Sequence, residues 1–511
     1  MSFEDVSQAM NKLVATVTDV YRGYWQYAMV ETIFCGLLIG EPVLLIGSHG
    51  VMKTSMANFV GTLFDKPVAT IKNKVHSRNS LEKWLEDLAS QLKIDPEKLT
   101  KNLIDGIDTQ YEQTTDDLTV TIEIDLVKYS LAEKLAKPAR KPIKVFTMQV
   151  NDQMDPEDLL GYGVDHPTLL GLKPPHAVKS GRVAGADYVV LDEIFGATRL
   201  LSKLHHVLNE KVIDTTVGCV ETKPLGIMLC TNPLNDFYQT NLKIINAATT
   251  DRYALSARGL PPSSQEILFM SERWKHIKLK KTAPIELIYE ARKLVEGVKI
   301  PEEYMVFSLG LISHLSRCYF SVSTGTRAEE SKDPFEAERD CSLCIYGQNY
   351  PCGLANVGKV RTIVRLQQTI KTHALLNMRK EADESDLAFA LLHVLPHRLT
   401  WNNNEFLAEQ GSIFTATKTL VEKYANIFTS QQAQIAKVEG LIKRPNAKDA
   451  AELKTAFRDA PIARAILDEV VDMMKESAKK KGDTTTLEAL ESKLNIENAI
   501  KTLKTKHNTA S

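Results

Sequence analysis

The sequence has no continuous run of about 18 apolar residues, so no part of it reads as a membrane-spanning helix. It also lacks charge of one sign. Lys and Arg number 63 against 64 Asp and Glu, a formal net charge of −1, so no global basic field recruits nucleic acid. No helix-turn-helix pattern and no aromatic–basic ribbon is evident. The first residues, Met1-Ser2-Phe3-Glu4-Asp5, lack the charged-then-apolar pattern of an export signal. Cysteine is scarce and odd in number, seven in 511 residues. That excludes a disulfide framework and fits a reducing cytoplasm. What remains is a folded chain, 43% hydrophobic and too long for one core, with an expected three to four domains.

The most informative segment is Gly47-Ser48-His49-Gly50-Val51-Met52-Lys53-Thr54-Ser55. It follows the apolar run Val43–Ile46 and precedes a helical pattern, Met56, Phe59, Val60, Leu63. Strand, small-residue loop and helix with Lys-Thr at its mouth form a phosphate-binding loop. Loop N–H groups and the positive helix end hold polyphosphate oxygens. Lys53 is expected to reach the outer phosphates and Thr54 to ligate Mg²⁺. One position departs from G-x-x-x-x-G-K-[ST]: Met52 stands where the second Gly is usual. A second segment, Tyr188 to Glu193, is a buried-strand run ending in two carboxylates. Asp192 would act at the metal, and Glu193 would be the general base for a water aimed at the γ-phosphate. A third strand, Leu225 to Thr231, ends in Asn232, placed to orient that water between the two earlier strands. Further on, Arg252 in Thr250-Asp251-Arg252-Tyr253 could stabilise developing charge in a neighbouring subunit's site.

Together these segments resemble a MoxR-type AAA+ ATPase. Val30 to Gly47 is similar to that family's first helix and strand, Asp158-Leu159-Leu160-Gly161 to a turn before its insert, and Ser180 to Ile194 to the approach and strand of Walker B. Leu201, Leu204, Val207 and Leu208 resemble the helix that follows. Lys359-Val360-Arg361-Thr362 lies where the family has Ser-Pro-Arg-Ala, so the resemblance makes Arg361 the sensor-2 arginine of a lid that His397-Arg398-Leu399 closes. The resemblance covers roughly residues 20–265 and 285–400. It implies an α/β AAA+ core with a parallel sheet over 1–265, an α-helical lid over 285–400, ATP and Mg²⁺ as ligands, and a hexameric ring. It also implies a protein client carrying a von Willebrand A domain.

From Lys53 to Asp158 the chain is longer than one helix and a connection need. Leu81, Trp84, Leu85, Leu88 and Leu92 give a helical face. Leu118, Val120, Ile122, Ile124 and Leu126 alternate with polar residues as a half-buried strand. An α+β insert over about 74–140 is expected, either a partner-docking element or a surface elaboration, before a core strand at Ile143–Met148. Residues 405–511 read as a polar helical tail. Its stripes are Ile413, Leu420, Val421, Tyr424, Ile427 and Phe428, then Ile462, Ala465, Ile466, Val470 and Met473.

Four of the seven cysteines fall in 318–355: Cys318, Cys341, Cys344 and Cys352. A C-x₂-C with a third Cys eight residues on has metal-ligand spacing, and the surrounding Gly/Pro-rich loop offers no apolar periodicity. The readings are a zinc site, a [4Fe–4S] cluster or four unlinked thiols.

The function expected is an ATP-driven, ring-forming ATPase that remodels a protein partner in the cytoplasm. The alternatives are a nucleic-acid-associated NTPase motor of restriction or helicase type, and a scaffold that binds nucleotide without turnover. The missing basic stripe argues against the motor. The set Asp192, Glu193, Asn232 and Arg252 argues against the scaffold.

Overall fold

The computed structural model describes residues 1–21, 27–75, 78–93, 107–112, 117–127, 137–151, 183–196, 204, 207–208, 210–215, 218–222, 224–232, 250–261, 264, 282–316, 350–443, 445–446, 449–450, 452–453 and 460–481. Two compact units emerge, the first from Met1–Lys299 with Gln368–Ala382, the second from Ile300–Gln367 with Asp383–Ser511. Among the described residues no helix is long and apolar enough to cross a membrane.

Unit 1 holds the strands β1 (Val43–Gly47), β2 (Phe64–Val75), β3 (Ile107–Glu112), β4 (Asp117–Asp125), β5 (Ala139–Pro142), β6 (Val145–Gln149), β7 (Tyr188–Asp192), β8 (Val212–Thr215), β9 (Gly218–Glu221), β10 (Gly226–Thr231), β11 (Leu255–Gly259) and β12 (Ala283–Pro284). Five of them form a parallel sheet in the order β11-β1-β10-β7-β6. β1 and β10 are buried at every residue, which accounts for their unbroken apolar runs. Helices α2 (Tyr27–Ile39) and α3 (Lys53–Thr62) pack on this sheet, and α1 (Phe3–Val20) and α2 pack with the helix Glu286–Glu296. α1 begins at Ser2, whose hydroxyl accepts from Asp5 N while the Asp5 carboxylate reaches back, a reciprocal cap. Its residues Val6, Met10, Val14 and Val17 fall on one buried face at helical spacing.

A strand starts at Phe64, ahead of the insert expected over about 74–140. β2 is one strand from Phe64, pairing antiparallel with β4 from Val68↔Asp125 to Val75↔Leu118. It also pairs with β5, and with β12 in parallel. Lys66, Pro67, Lys72 and Lys74 dilute the apolar signal of β2, which hid it among loop-like residues. The strand expected at 143–148 is β6, which starts two residues later and ends one later. Helix α4 (Arg78–Leu92) buries Leu85, Leu88 and Leu92 as its spacing predicts. Lys66 joins the two sheets: its Nζ lies 2.7 Å from Asp187 Oδ2, and the same carboxylate accepts from Lys144 N at 2.8 Å.

Unit 2 is helical. Its described helices include Glu302–Ser316, Glu384–Val394, Asn404–Gln410, Ile413–Ser430, Gln432–Lys443 and Pro461–Lys481, with the first part of Lys359–Leu376. The helices beyond residue 404, expected as a separate polar tail, pack within this same unit. The reason is steric fit. A Cβ on Gly310 would stand 2.5 Å from Tyr424 Oη and 2.9 Å from Ile466, so glycine permits a close crossing of three helices. Gln431 Oε1 accepts from Ile462 N and Ala463 N, satisfying the start of the last helix. Residues 285–299 and 368–382 group by their contacts with unit 1, where Glu31 and His373 form a buried pair 3.5 Å apart. The last apolar stripe is also corrected by one residue: Met473 is exposed and Met474 buried.

Candidate active site

β1 is flanked by β11 on one side and β10 on the other, so the chain reverses its direction of sheet growth there. In open α/β sheets such a switch point opens a crevice at the carboxyl ends of the strands, where ligands bind. The residues at those ends are Gly47, Gln149, Asp192, Thr231 and Gly259, and the loop Ser48–Met52 follows directly.

Val51 anchors the loop. It is fully buried and sits against Gly47 and Gly259, which are cross-strand partners. A Cβ on Gly259 would lie 2.7 Å from Val51 Cγ2 and 2.8 Å from Met29 Cε, and one on Gly47 would lie 2.8 Å from Val51 Cγ2. Two facing glycines therefore make the groove that the valine fills. Met52 caps α3 in the left-handed region, φ 62° and ψ 22°, without a side-chain cap. Glycine adopts this conformation freely, and methionine bears a strain of about 1–3 kcal/mol. The departure at Met52 is thus a departure in side chain only; the backbone keeps the shape that glycine usually supplies.

Lys53 is buried and donates from Nζ to Gly47 O at 2.7 Å and Ser48 O at 3.0 Å. Burial lowers its pKa, opposed by Cys230, Asp192 and Glu193. Thr54 Oγ1 donates to Asp192 Oδ2 at 2.6 Å, joining the mouth of α3 to the end of β7. Asp192 Oδ1 accepts from Glu193 N at 3.0 Å. Glu193, like Met52, has positive φ, 55°, and its Oε2 accepts from Gln149 Nε2 at 2.8 Å. Asn232 follows β10, between β1 and β7, with its Nδ2 3.3 Å from His49 Nε2 of the loop. Ser48, His49 and Gly50 are exposed; Met52, Thr54 and Ser55 are half-buried. Beneath the loop, burial pushes the Cys230 thiol up to about 12, with the Asp192 charge adding and Thr54 and Lys53 opposing. That thiol stays neutral and unreactive.

Arg252 precedes β11 at its amino end, where Leu255 pairs with Val43. The four residue steps of β11 from there to Gly259 separate that end from the chain's own loop by about 13 Å. Arg361 lies in unit 2, exposed in the first turn of Lys359–Leu376. Cys318, Cys341 and Cys344 lie outside the described residues, as do Asp158–Gly161, Ser180–Arg182 and Leu201. Cys352 is half-buried in the short helix Pro351–Leu354. Among the described residues no group of three or more His, Cys, Asp or Glu side chains could hold a metal.

Two residues at the site escaped the sequence reading, Gln149 and Gly259. Both come from strands distant in sequence, and register alone brings Gln149 level with Asp192 and Gly259 level with Gly47. The available signal was position: each is the last residue of a strand beside a motif-bearing strand.

A family model described as the AAA lid domain matches residues 351–418. The fold is α/β, a five-stranded parallel sheet with a helical lid region, consistent with an AAA+ core. Among solved structures, the chain is similar to the crystal structure of "a putative ATPase" from Cytophaga hutchinsonii ATCC 33406. The two share 16% identity at a TM-score of 0.50, over 82% of this chain and 96% of that one. At that identity the likeness speaks for the fold alone. No curated protein matches the chain.

Proposed function

We propose that the chain hydrolyses ATP to ADP and phosphate as a MoxR-type, ring-forming ATPase that remodels a protein client. The observation that carries the reading is the Thr54–Asp192 hydrogen bond of 2.6 Å, with Lys53 one residue before and Glu193 one residue after. A hydroxyl and a carboxylate oxygen suit Mg²⁺, a hard ion that keeps several waters and takes few protein ligands. Thr54 and Asp192 would hold it, and when bound it would neutralise phosphate charge. Lys53, now bonded to loop carbonyls, has the reach and charge to donate to the outer phosphates. Glu193 accepts one proton from water as the water oxygen bonds the γ-phosphorus, and the bond to the bridging oxygen breaks toward ADP. Gln149 holds the Glu193 carboxylate until substrate competes for it.

The distance of Arg252 from its own loop favours work in a neighbouring subunit's site, hence a ring, with six subunits by family resemblance. Arg361 would act from the lid. The client, by the same resemblance, carries a von Willebrand A domain. Zinc at Cys318, Cys341, Cys344 and Cys352 is a separate proposal that elemental analysis of untagged protein decides.

Two variants test the reading. Lys53→Ala is expected to abolish ATP binding in calorimetry. Glu193→Gln is expected to retain binding while turnover falls by about 10²–10⁴-fold. Wild-type ATP affinity in the first, or wild-type turnover in the second, would overturn the assignment.

A further inference from the structure

The imidazole of His49 has no duty in holding phosphate, which the loop's backbone N–H groups and Lys53 can perform. It instead meets Asn232, 183 residues away in sequence, with 3.3 Å between His49 Nε2 and Asn232 Nδ2. We propose that His49 is a positioning residue, one that fixes which arm of the Asn232 amide meets the attacking water. The inference rests on the ATPase reading of the same site.

An asparagine amide has a carbonyl arm that only accepts hydrogen bonds and an NH₂ arm that only donates. The arms have almost the same shape, so a neighbour's hydrogen bond decides the orientation. A neutral imidazole carrying its proton on Nδ1 presents Nε2 as an acceptor. The NH₂ arm of Asn232 donates to it, which turns the carbonyl arm away from His49. A water attacking phosphorus has two protons to direct. One goes to the Glu193 carboxylate. The other needs an acceptor, and the carbonyl arm of Asn232 is one. With the amide reversed, NH₂ would face the water's hydrogen, donor against donor, and the lone pair would point off the line of attack. His49 touches neither phosphorus nor water; it acts through Asn232.

The expected signature is in turnover rather than in binding. His49→Ala lowers kcat by about tenfold, the scale of one hydrogen bond, with the ATP Kd within about twofold of wild type. His49→Gln puts an amide oxygen near the place of Nε2 and recovers most of the rate. In the Asn232→Ala background, His49→Ala causes no further loss, because the two act as a unit. The inference is overturned by unchanged kcat in His49→Ala, by equal losses in the Ala and Gln variants, or by an undiminished tenfold loss in the Asn232→Ala background. A wild-type protein that binds and hydrolyses ATP while His49→Ala is silent overturns this inference alone. A wild-type protein that does neither overturns the ATPase reading with it.

Discussion

The two ends of the parallel sheet are built by different rules. At the amino ends of the strands, charged groups are committed to structure. Arg292 donates from Nη2 to Leu37 O and Leu225 O, both at 2.7 Å, closing the end of α2 onto the start of β10. Lys66, Asp187 and the backbone of Lys144 stitch the second sheet to β7. At the carboxyl ends, the polar groups are bonded in pairs that substrate could replace: Lys53 with its own loop carbonyls, Thr54 with Asp192, Gln149 with Glu193. Left-handed backbone at Met52 and Glu193 also sits at this end. Exchangeable hydrogen bonds gather where chemistry is proposed, and fixed bonds gather where the fold must hold.

This contrast can be broken by measurement. Arg292→Met strands two carbonyls of buried residues and should cost about 2–4 kcal/mol in denaturant unfolding, while turnover per folded molecule stays at the wild-type value. A fall in turnover at constant folded fraction would erase the distinction between the ends. Gly259→Ala tests the other end. The added methyl meets the stiff Val51 side chain at 2.7 Å. The expected cost in stability is about 1–3 kcal/mol, accompanied by a loss of about tenfold or more in kcat/KM as the loop shifts. Stability loss with full activity would mean that the Val51 groove does not set the loop. The smallest effect is expected at Met52→Gly. Release of left-handed strain outweighs the added freedom of the unfolded chain, for a net gain below about 1 kcal/mol. A loss in thermal midpoint would show that the Met52 side chain contributes packing that its backbone angle conceals.

Much of the site was legible because its parts are local. The phosphate loop occupies nine consecutive residues, and Asp192 and Glu193 end a strand that advertises itself by Tyr188-Val189-Val190-Leu191. The order of the segments supplied the core fold. What was hidden is what neighbouring strands contribute. Gln149 and Gly259 gain meaning only from parallel register, which one sequence does not display. β2 was missed at its start because a strand carrying alternate lysines, with a proline at 67, has no apolar run. The placement of the last helices in unit 2 was hidden for a similar reason. Their stripes announced buried faces, but nothing local said that Gly310 offered the matching surface.

That glycine crossing also governs when unit 2 can be completed during synthesis. The sheet strands through Gly259 leave the ribosome well before the helix Pro461–Lys481, whereas helix Glu302–Ser316 must wait for Tyr424 and Ile466 to cover it. Such long-range closure is slow relative to local helix formation. A nascent chain therefore carries an uncovered apolar helix for much of its translation. A stop codon placed before Pro461 would leave that helix without Ile466 against Gly310, a product marked for chaperones and proteases rather than for assembly.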